Sequence, residues 1–389
     1  MSLILNQLIM NKKPTYDYII AGAGCAGLSL LLRMIRGGLT AGKRILLVDK
    51  EEKNKNDRTW CFWETGKGFF EEVVYRQWDH ISFMSNDFSA DMPLTPYRYK
   101  MIRGIDFYNY CFTEIRKHSN IDVVYGDASF KQRQAGFDLF LDNEHIDTSQ
   151  TVVFNSIYTP GQNSKQKLTV LQHFKGWIIE TEKEVFEPQN ATMMDFRVHQ
   201  QYGTSFAYVL PFSTTSALVE YTLFTPAMLE PQQYDEELKN YIQGFLGIHD
   251  YAVKETEFGV IPMTNEKFHF KKNGWQIGTA GGQTKASSGY TFQFIQKQSQ
   301  TIVEHLQRGK PLEDIRPTPG RFRFYDNTLL YILYHNKLPG DKIFSRLFQK
   351  NKPQQVLRFL DNESSLMEEM KIISTLPTWP FLKAALHQF

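Results

Sequence analysis

"YIIAGAGCAGLSLLLRMI", residues 18–35, decides the fold. Tyr18 to Ala21 form an apolar run suited to a buried parallel strand, and Leu28 to Ile35 continue with apolar residues at helical spacing. Between them Gly22, Gly24 and Gly27 make a G-x-G-x-x-G turn in which Ala23 and Ala26 are the other small residues. Gly22 allows the tight turn, Gly24 lets backbone N–H groups at the helix N-terminus approach a pyrophosphate, and Gly27 lets helix and strand pack closely. Downstream, "KRILLVDK" (43–50) supplies a second apolar strand, Arg44 to Val48, which ends in Asp49 and Lys50. An acid about 20 residues beyond the last glycine is placed to accept a hydrogen bond from a ribose hydroxyl. The stretch predicts a dinucleotide-binding βαβ unit.

Composition bounds the rest. A chain of 389 residues can bury a large core in two or three domains. A formal net charge of +2 creates no long-range field, so nothing favours nucleic acid. The three cysteines, Cys25, Cys61 and Cys111, form no C-x-x-C pair and are odd in number. That argues against a disulfide framework or zinc site and for a reducing, cytoplasmic setting. Residues 1–13 lack the features of a signal peptide, and no apolar run reaches the ~18 residues needed to cross a bilayer. Aromatic residues reach 14%, which suits either an aromatic-lined pocket or an aromatic-rich core.

The pattern then divides. "IDVVYGDASF" (121–130), "FDLFLDN" (137–143) and "QTVVFNS" (150–156) read as strands completing the first layer, with a helix at "FYNYCFTEIRKH" (107–118). From about Leu168 long strands follow, with one amphipathic helix near Glu236 to Gly247. "WQIGTAGGQTKASSGYTFQFIQKQSQTIVEHL" (275–306) returns to strand, glycine-rich turn and helix. The expected architecture is α/β: a Rossmann-type, glutathione-reductase-like FAD-binding domain (1–75, 111–165 and 271–310), an inserted antiparallel β-sheet substrate domain (76–110 and 166–270), and C-terminal helices (311–389). No H-E-x-x-H, His/Cys cluster or G-x-S-x-G elbow is present, so metal and serine hydrolysis are poor fits and no metal site is expected. A nicotinamide dehydrogenase fits the fingerprint alone. The discontinuous layout instead suits a long cofactor such as FAD, held along its whole length.

At "DRTWCFW" (57–63) the chain resembles the lycopene β-cyclase family of FAD-dependent carotenoid enzymes, in its bacterial form. The resemblance runs through "MDFRV" (194–198), "LVEYT" (218–222), "EFGVIPM" (257–263), "GTAGGQTKASSGYTF" (278–292), "RFYDNTLLYIL" (323–333) and "PFLKAAL" (380–386). It implies an isomerase that closes the acyclic ends of lycopene into β-ionone rings: a proton adds to a terminal alkene, the cation is attacked by an internal alkene, and a ring proton is lost. Reduced FAD, with NAD(P)H as its reductant, is implied as electrostatic stabiliser of the cation.

Under that resemblance Glu220 is the catalytic acid and base. Period-2 alternation sets it on one strand face with Leu218 and Thr222, where burial would raise its pKa. Leu218 departs from the family's usual Phe, and Tyr221 stands where the family carries a second acid, which suggests that one acid suffices and leaves open whether a second carboxylate assists. Asp195 and Arg197 position a substrate end or the flavin, or are two charges on an exposed strand face. Trp60, Phe62 and Trp63 line a polyene tunnel or pack the core. Arg58 neutralises the cofactor or forms a surface ion pair. Gly278, Gly281, Gly282, Ser288, Gly289 and Tyr290 are expected near the ribityl chain and ring.

Lycopene, a hydrocarbon of ~40 carbons, would hardly leave a bilayer for water at about 0.8 kcal/mol per buried CH₂. Peripheral attachment to the inner membrane is therefore implied. "NTLLYILYHNKLPGDKIFSRLFQKNK" (327–352) has the mix of apolar faces and basic residues that an interfacial helix pair needs, although such helices also pack on a protein's own core. Expected partners are lycopene, related acyclic carotenoids, the membrane surface and other carotenoid enzymes. Two alternatives remain in the same fold: a flavin-dependent isoprenoid hydroxylase or reductase using NAD(P)H, and a non-catalytic FAD-containing carotenoid-binding partner.

Overall fold

Five short apolar strands, numbered with the others in chain order, build a parallel sheet: β1 (Tyr18–Ala21), β2 (Ile45–Asp49), β8 (Ile121–Tyr125), β12 (Val152–Asn155) and β18 (Gly274–Gln276), in the order β18-β12-β1-β2-β8. The computed structural model describes residues 15–133, 136–159, 168–266 and 274–388. The reading of residues 1–13 and the boundaries drawn near 165 and 270 lie outside the described residues. Helix α1 (Cys25–Arg36) follows β1 and buries Leu28, Leu30, Leu31, Leu32 and Met34. A Cβ on Gly27 would stand 1.9 Å from the Gly22 carbonyl oxygen, so the helix start can lie this close to the strand only with glycine there. Helix α4 (Phe292–Gln307) packs on α1 as the returning segment predicts.

Two further strand groups differ from the expected layer. β9 (Ala128–Arg133), β10 (Gly136–Leu141) and β11 (Glu144–Ile146) do not extend the parallel sheet; they form their own antiparallel meander in the order β11-β10-β9. The reason is connection length: β10 and β11 are joined by a tight turn at Asp142 and Asn143, both with positive φ, and such turns make antiparallel hairpins. β3 (Thr59–Glu64), β4 (Arg76–Trp78) and β7 (Arg98–Arg103) form a small sheet in the order β3-β7-β4, from which α2 (Gly104–Ile115) departs.

The large sheet has seven strands in the order β17-β13-β16-β15-β14-β5-β6, comprising β5 (His80–Met84), β6 (Ser89–Pro93), β13 (Thr169–Glu180), β14 (Asn190–Asp195), β15 (Thr204–Pro211), β16 (Ser216–Thr225) and β17 (Ala252–Thr264). It is antiparallel except where β14 runs parallel to β5. Alternation sends Val219, Tyr221 and Leu223 of β16 to one face, where they pack with Tyr234, Leu238 and Tyr241 of helix α3 (Pro231–Gly244). The other face is covered by the C-terminal helices α5 (Gly320–Tyr334), α6 (Gly340–Lys350), α7 (Pro353–Leu360), α8 (Leu366–Thr375) and α9 (Thr378–Leu386).

The helix pair expected at the membrane is part of that cover. Leu330, Ile332 and Leu333 of α5, and Ile343, Phe344, Leu347 and Phe348 of α6, are buried in the core shared with the large sheet. Phe344 stacks on Phe196 and Phe348 on Phe83. The amphipathic pattern of residues 327–352 is thus satisfied by the protein itself. No helix among the described residues is long and apolar enough to cross a membrane.

Candidate active site

A cleft of about 430 Å³ opens at the N-terminus of α1 and is lined by Gly22, Gly24, Ala26, Asp49, Lys50, Arg58 and Trp60, with Thr279 and Thr291 from the returning segment. Gly22 has φ +98° and a Cβ there would meet the Ser156 hydroxyl at 2.1 Å, whereas a Cβ on Gly24 would meet nothing within 4 Å. The open space beside Gly24 faces helix N–H groups, and no acidic side chain occupies the first turn. Asp49 is anchored rather than free: the Ala23 N–H donates to Oδ2 (2.7 Å), the Glu51 N–H to Oδ1 (3.0 Å), and Lys53 pairs with Oδ1 (3.0 Å). A carboxylate has about four acceptor positions, so one for a ribose hydroxyl remains. Helix dipole, backbone donors and the cations Lys50, Lys53 and Arg58 fit the pyrophosphate and ribose of a dinucleotide. Gly278 (φ +61°) lies against Ala26, where a Cβ would come within 2.6 Å of the alanine methyl. Gly281 and Gly282 close the same short turn.

β3 leads from this cleft to a second, inner compartment. Its alternation sends Trp60 and Phe62 toward the nucleotide side, where Phe62 stacks on Phe292 at 4.3 Å, and sends Trp63 into the core of the large sheet. Cys61, Trp63, Tyr290, Phe292 and Asp361 line a small inner pocket, and Thr291 belongs to both spaces. Trp63 meets Tyr290 edge to face at 4.8 Å. Tyr290 therefore belongs to the inner pocket rather than the cleft, Ser288 is buried behind it, and Gly289 (φ +72°) lies against Gln172 of β13. Burial raises the pKa values of Cys61, Tyr99, Tyr208 and Tyr290, keeping all four neutral.

Glu220 is buried on the face that alternation predicts, close enough to Cys61, Tyr208 and Tyr290 for its charge to act on all three. The Thr222 hydroxyl donates to its Oε1 at 2.6 Å. Directly across the strand pairs, Tyr208 of β15 lies opposite Glu220 on one side and Gly176 of β13 on the other; Gly176 in turn lies opposite Glu257 of β17. The two glutamates thus flank a residue with no side chain. A Cβ on Gly176 would come within 2.9 Å of Glu257 Cγ and of Leu218 Cδ1, so glycine leaves the gap through which the carboxyls meet.

Both carboxyls are held above the usual carboxylate range. Burial, first, and the charge of Glu257 hold Glu220 well above the usual carboxylate range. Glu257 is also raised by burial, but the Thr59 hydroxyl donates to its Oε2 at 2.6 Å, and hydrogen bonding from Glu220 and the field of Arg58 favour its ionised form. Glu257 Oε1 is closed to solvent and receives no hydroxyl or N–H, as expected of an oxygen facing the carboxyl O–H of Glu220. Two buried carboxyl groups so placed resist ionising together, which favours a proton shared by the pair.

Sequence reasoning does not find Glu257, and Tyr221 leaves open whether a second acid assists. Tyr221 is fully buried on the opposite face; the second acid comes from two strands away. Asp195 and Arg197 are likewise not brought to Glu220. Asp195 aligns with Ala207 and hence with Tyr221, on the α3 face, fully buried. Its carboxylate takes the Arg197 guanidinium (2.6 Å), the Arg197 N–H (3.0 Å) and the Tyr241 hydroxyl (2.9 Å), a saturated structural ion pair. Among the described residues no group of His, Cys, Asp and Glu could hold a metal ion.

The family model described as "Lycopene cyclase protein" matches residues 17–386. No curated protein matches the sequence. Solved structures match nearly end to end at low identity. A flavoprotein/dehydrogenase from Cytophaga hutchinsonii is 13% identical with a TM-score of 0.61, covering 96% of this chain and 100% of its own. A geranylgeranyl bacteriochlorophyll reductase-like protein from Thermoplasma acidophilum is 12% identical with a TM-score of 0.58, over 95% and 98%. A halogenase, PltM, in complex with FAD is 12% identical with a TM-score of 0.53, over 90% and 79%. At such identities the likeness shows the fold alone.

Proposed function

The chain belongs to the lycopene cyclase family, and on that premise we propose that it is a lycopene β-cyclase, converting the acyclic ends of lycopene to β-ionone rings without net redox change. The observation that carries the reading is the placement of Glu220, buried across Gly176 from a second carboxyl, Glu257, and directly opposite Tyr208, where burial raises its pKa. A strong local acid beside a π-rich wall is what protonation of an alkene requires, and bulk water would discharge both the acid and the cation.

The cleft residues Gly22, Ala23, Gly24, Ala26, Asp49, Lys50 and Arg58 would hold FAD, whose reduced form supplies electron-rich stabilisation of a carbocation, with NAD(P)H as reductant. Glu220 gives its proton from the carboxyl to the less substituted, CH carbon of the terminal trisubstituted alkene, leaving a tertiary cation on the dimethyl-bearing carbon. The faces of Tyr208, Tyr290 and Trp63 stabilise that charge through their quadrupoles, and none of them offers an ionised nucleophile to trap it. After ring closure a ring proton returns to the carboxylate pair, so Glu220 and Glu257 end as they began. Peripheral association with the inner membrane is part of this reading.

The test is an anaerobic incubation of the protein with chemically reduced FAD and lycopene in liposomes, following pigments by chromatography and flavin by absorbance. γ- and β-carotene accumulate over many turnovers while the flavin stays reduced. Pigment change in step with flavin oxidation would instead favour an isoprenoid reductase or hydroxylase.

A further inference from the structure

Helices α8 (Leu366–Thr375) and α9 (Thr378–Leu386) are apolar on both sides. Inward they bury Ile372, Leu376 and Ala384. Outward they expose Leu366, Met367, Met370, Trp379, Leu382 and Leu386, with Met367 at 84% and Trp379 at 67% of full exposure. Six large apolar side chains left exposed on two successive short helices are more than scattered surface residues, and exposed apolar groups of this kind mark an interaction site.

Charge identifies the occupant. The exposed cations on these helices are Lys371 and Lys383, and the Lys383 ammonium lies 5.5 Å from the Trp379 ring centre. Both acids of α8 are already engaged: Glu368 pairs with Arg358, and Glu369, fully buried, pairs with Arg321 at 2.8 Å. Leading into α8, Glu363 pairs with Lys297 at 2.7 Å. The face thus offers apolar side chains, an amphipathic tryptophan and unmatched positive charge, with no acidic complement for a second copy of itself.

We propose that α8 and α9 dock this face on an anionic lipid bilayer, lying in the interface with Trp379 among the headgroups and Lys371 and Lys383 reaching phosphates. At ten and nine residues the helices are too short to span. The assignment deepens the cyclase reading and rests on it for the hydrocarbon substrate. The loop entering α8 begins at Asp361, which lines the inner pocket, so the docked face and the reaction compartment are joined by four residues of chain, Asn362 to Ser365. It also replaces residues 327–352 as the membrane-facing segment.

Flotation of the full-length protein with pigment-free phosphatidylethanolamine–phosphatidylglycerol vesicles tests the proposal. The wild type floats with the vesicles. Combining Trp379→Ser, Leu382→Ser and Leu386→Ser lowers partition at least ~10-fold with unchanged melting temperature, since all three side chains are exposed. Lys371→Gln and Lys383→Gln each lower it roughly fivefold on these vesicles and leave binding to phosphatidylcholine vesicles unchanged. A wild type that stays unbound, or a triple variant that floats as well as wild type, overturns the proposal. So does a dimer in sedimentation that the triple variant dissolves, which would give the face to a second copy. Failure of docking is separable from failure of the cyclase reading, because conversion of lycopene in detergent micelles reports the chemistry without a bilayer.

Discussion

The large sheet carries a buried acid on each face, and they are handled in opposite ways. On the α3 face Asp195 is fully enclosed and saturated by Arg197 and Tyr241. On the other face Glu220 is enclosed with Thr222 and a second carboxyl, Glu257, as partners. In the first case an arginine cancels the charge. In the second a proton cancels it, and a proton can leave. The comparison teaches that burial alone does not mark a reactive acid; the chemistry lies where the best partner of a carboxyl is another carboxyl.

Four outcomes would sharpen or break that contrast. Glu220→Gln keeps the shape and the Thr222 contact but holds no transferable acid proton, so turnover falls by ~10³-fold or more at unchanged stability. Single-turnover pigment assays and a thermal melt check it, and retained activity would put Glu220 with Asp195 among structural acids. Asp195→Ala does the reverse: it leaves Arg197 and Tyr241 without their acceptor and costs roughly 3 kcal/mol in a urea melt, while conversion per folded molecule is unchanged. Gly176→Ala fills the gap between the glutamates and pushes Glu257 aside, lowering turnover about 100-fold, the scale of an ångström misplacement at a reacting group. Normal conversion in this variant would mean that the carboxyls need not meet.

The smallest effect concerns Asp361, which burial raises to about 7. Its native state keeps a proton that the unfolded chain has already released, so the stability it contributes is full below the ordinary aspartate value and is lost as pH rises through about 7. Unfolding free energy of the wild type therefore declines between about pH 4 and 7 relative to Asp361→Asn, by at most a few kcal/mol. Parallel denaturant titrations at several pH values measure the difference. Equal pH slopes in the two proteins would show that the carboxyl is ionised in the fold.

What could be read in advance follows from how local each signal is. The glycine turn was legible because two of its glycines answer a local demand: a positive φ at Gly22 and a backbone approach at Gly27. The face of Glu220 was legible from the alternation along a single strand. Glu257 was not, because it sits in "AVKETEFG" (252–259) beside Glu255 on a mostly exposed edge strand, and only the register of β17 on β13 makes it differ from its neighbour. A signal did exist in Gly176, a glycine inside the otherwise side-chain-rich strand "TVLQHFKGWIIE" (169–180), where a missing side chain marks a close approach. Residues 327–352 leave two readings open for a related reason: amphipathicity fixes that a helix has an apolar face, while the packing of distant strands decides which helices find their cover within the protein.

β3 touches both compartments, and Arg58 at its head lines the cleft while lowering the pKa of Glu257. An anion bound in the cleft and compensating Arg58 withdraws part of that influence and raises the proton affinity of the glutamate pair. Linkage then requires the reciprocal effect. Occupancy of the cleft by an anionic ligand and protonation of the acid pair favour one another, so the ligand binds more tightly as pH falls through the titration of the pair, and a loaded protein is one whose acid is already charged with its proton.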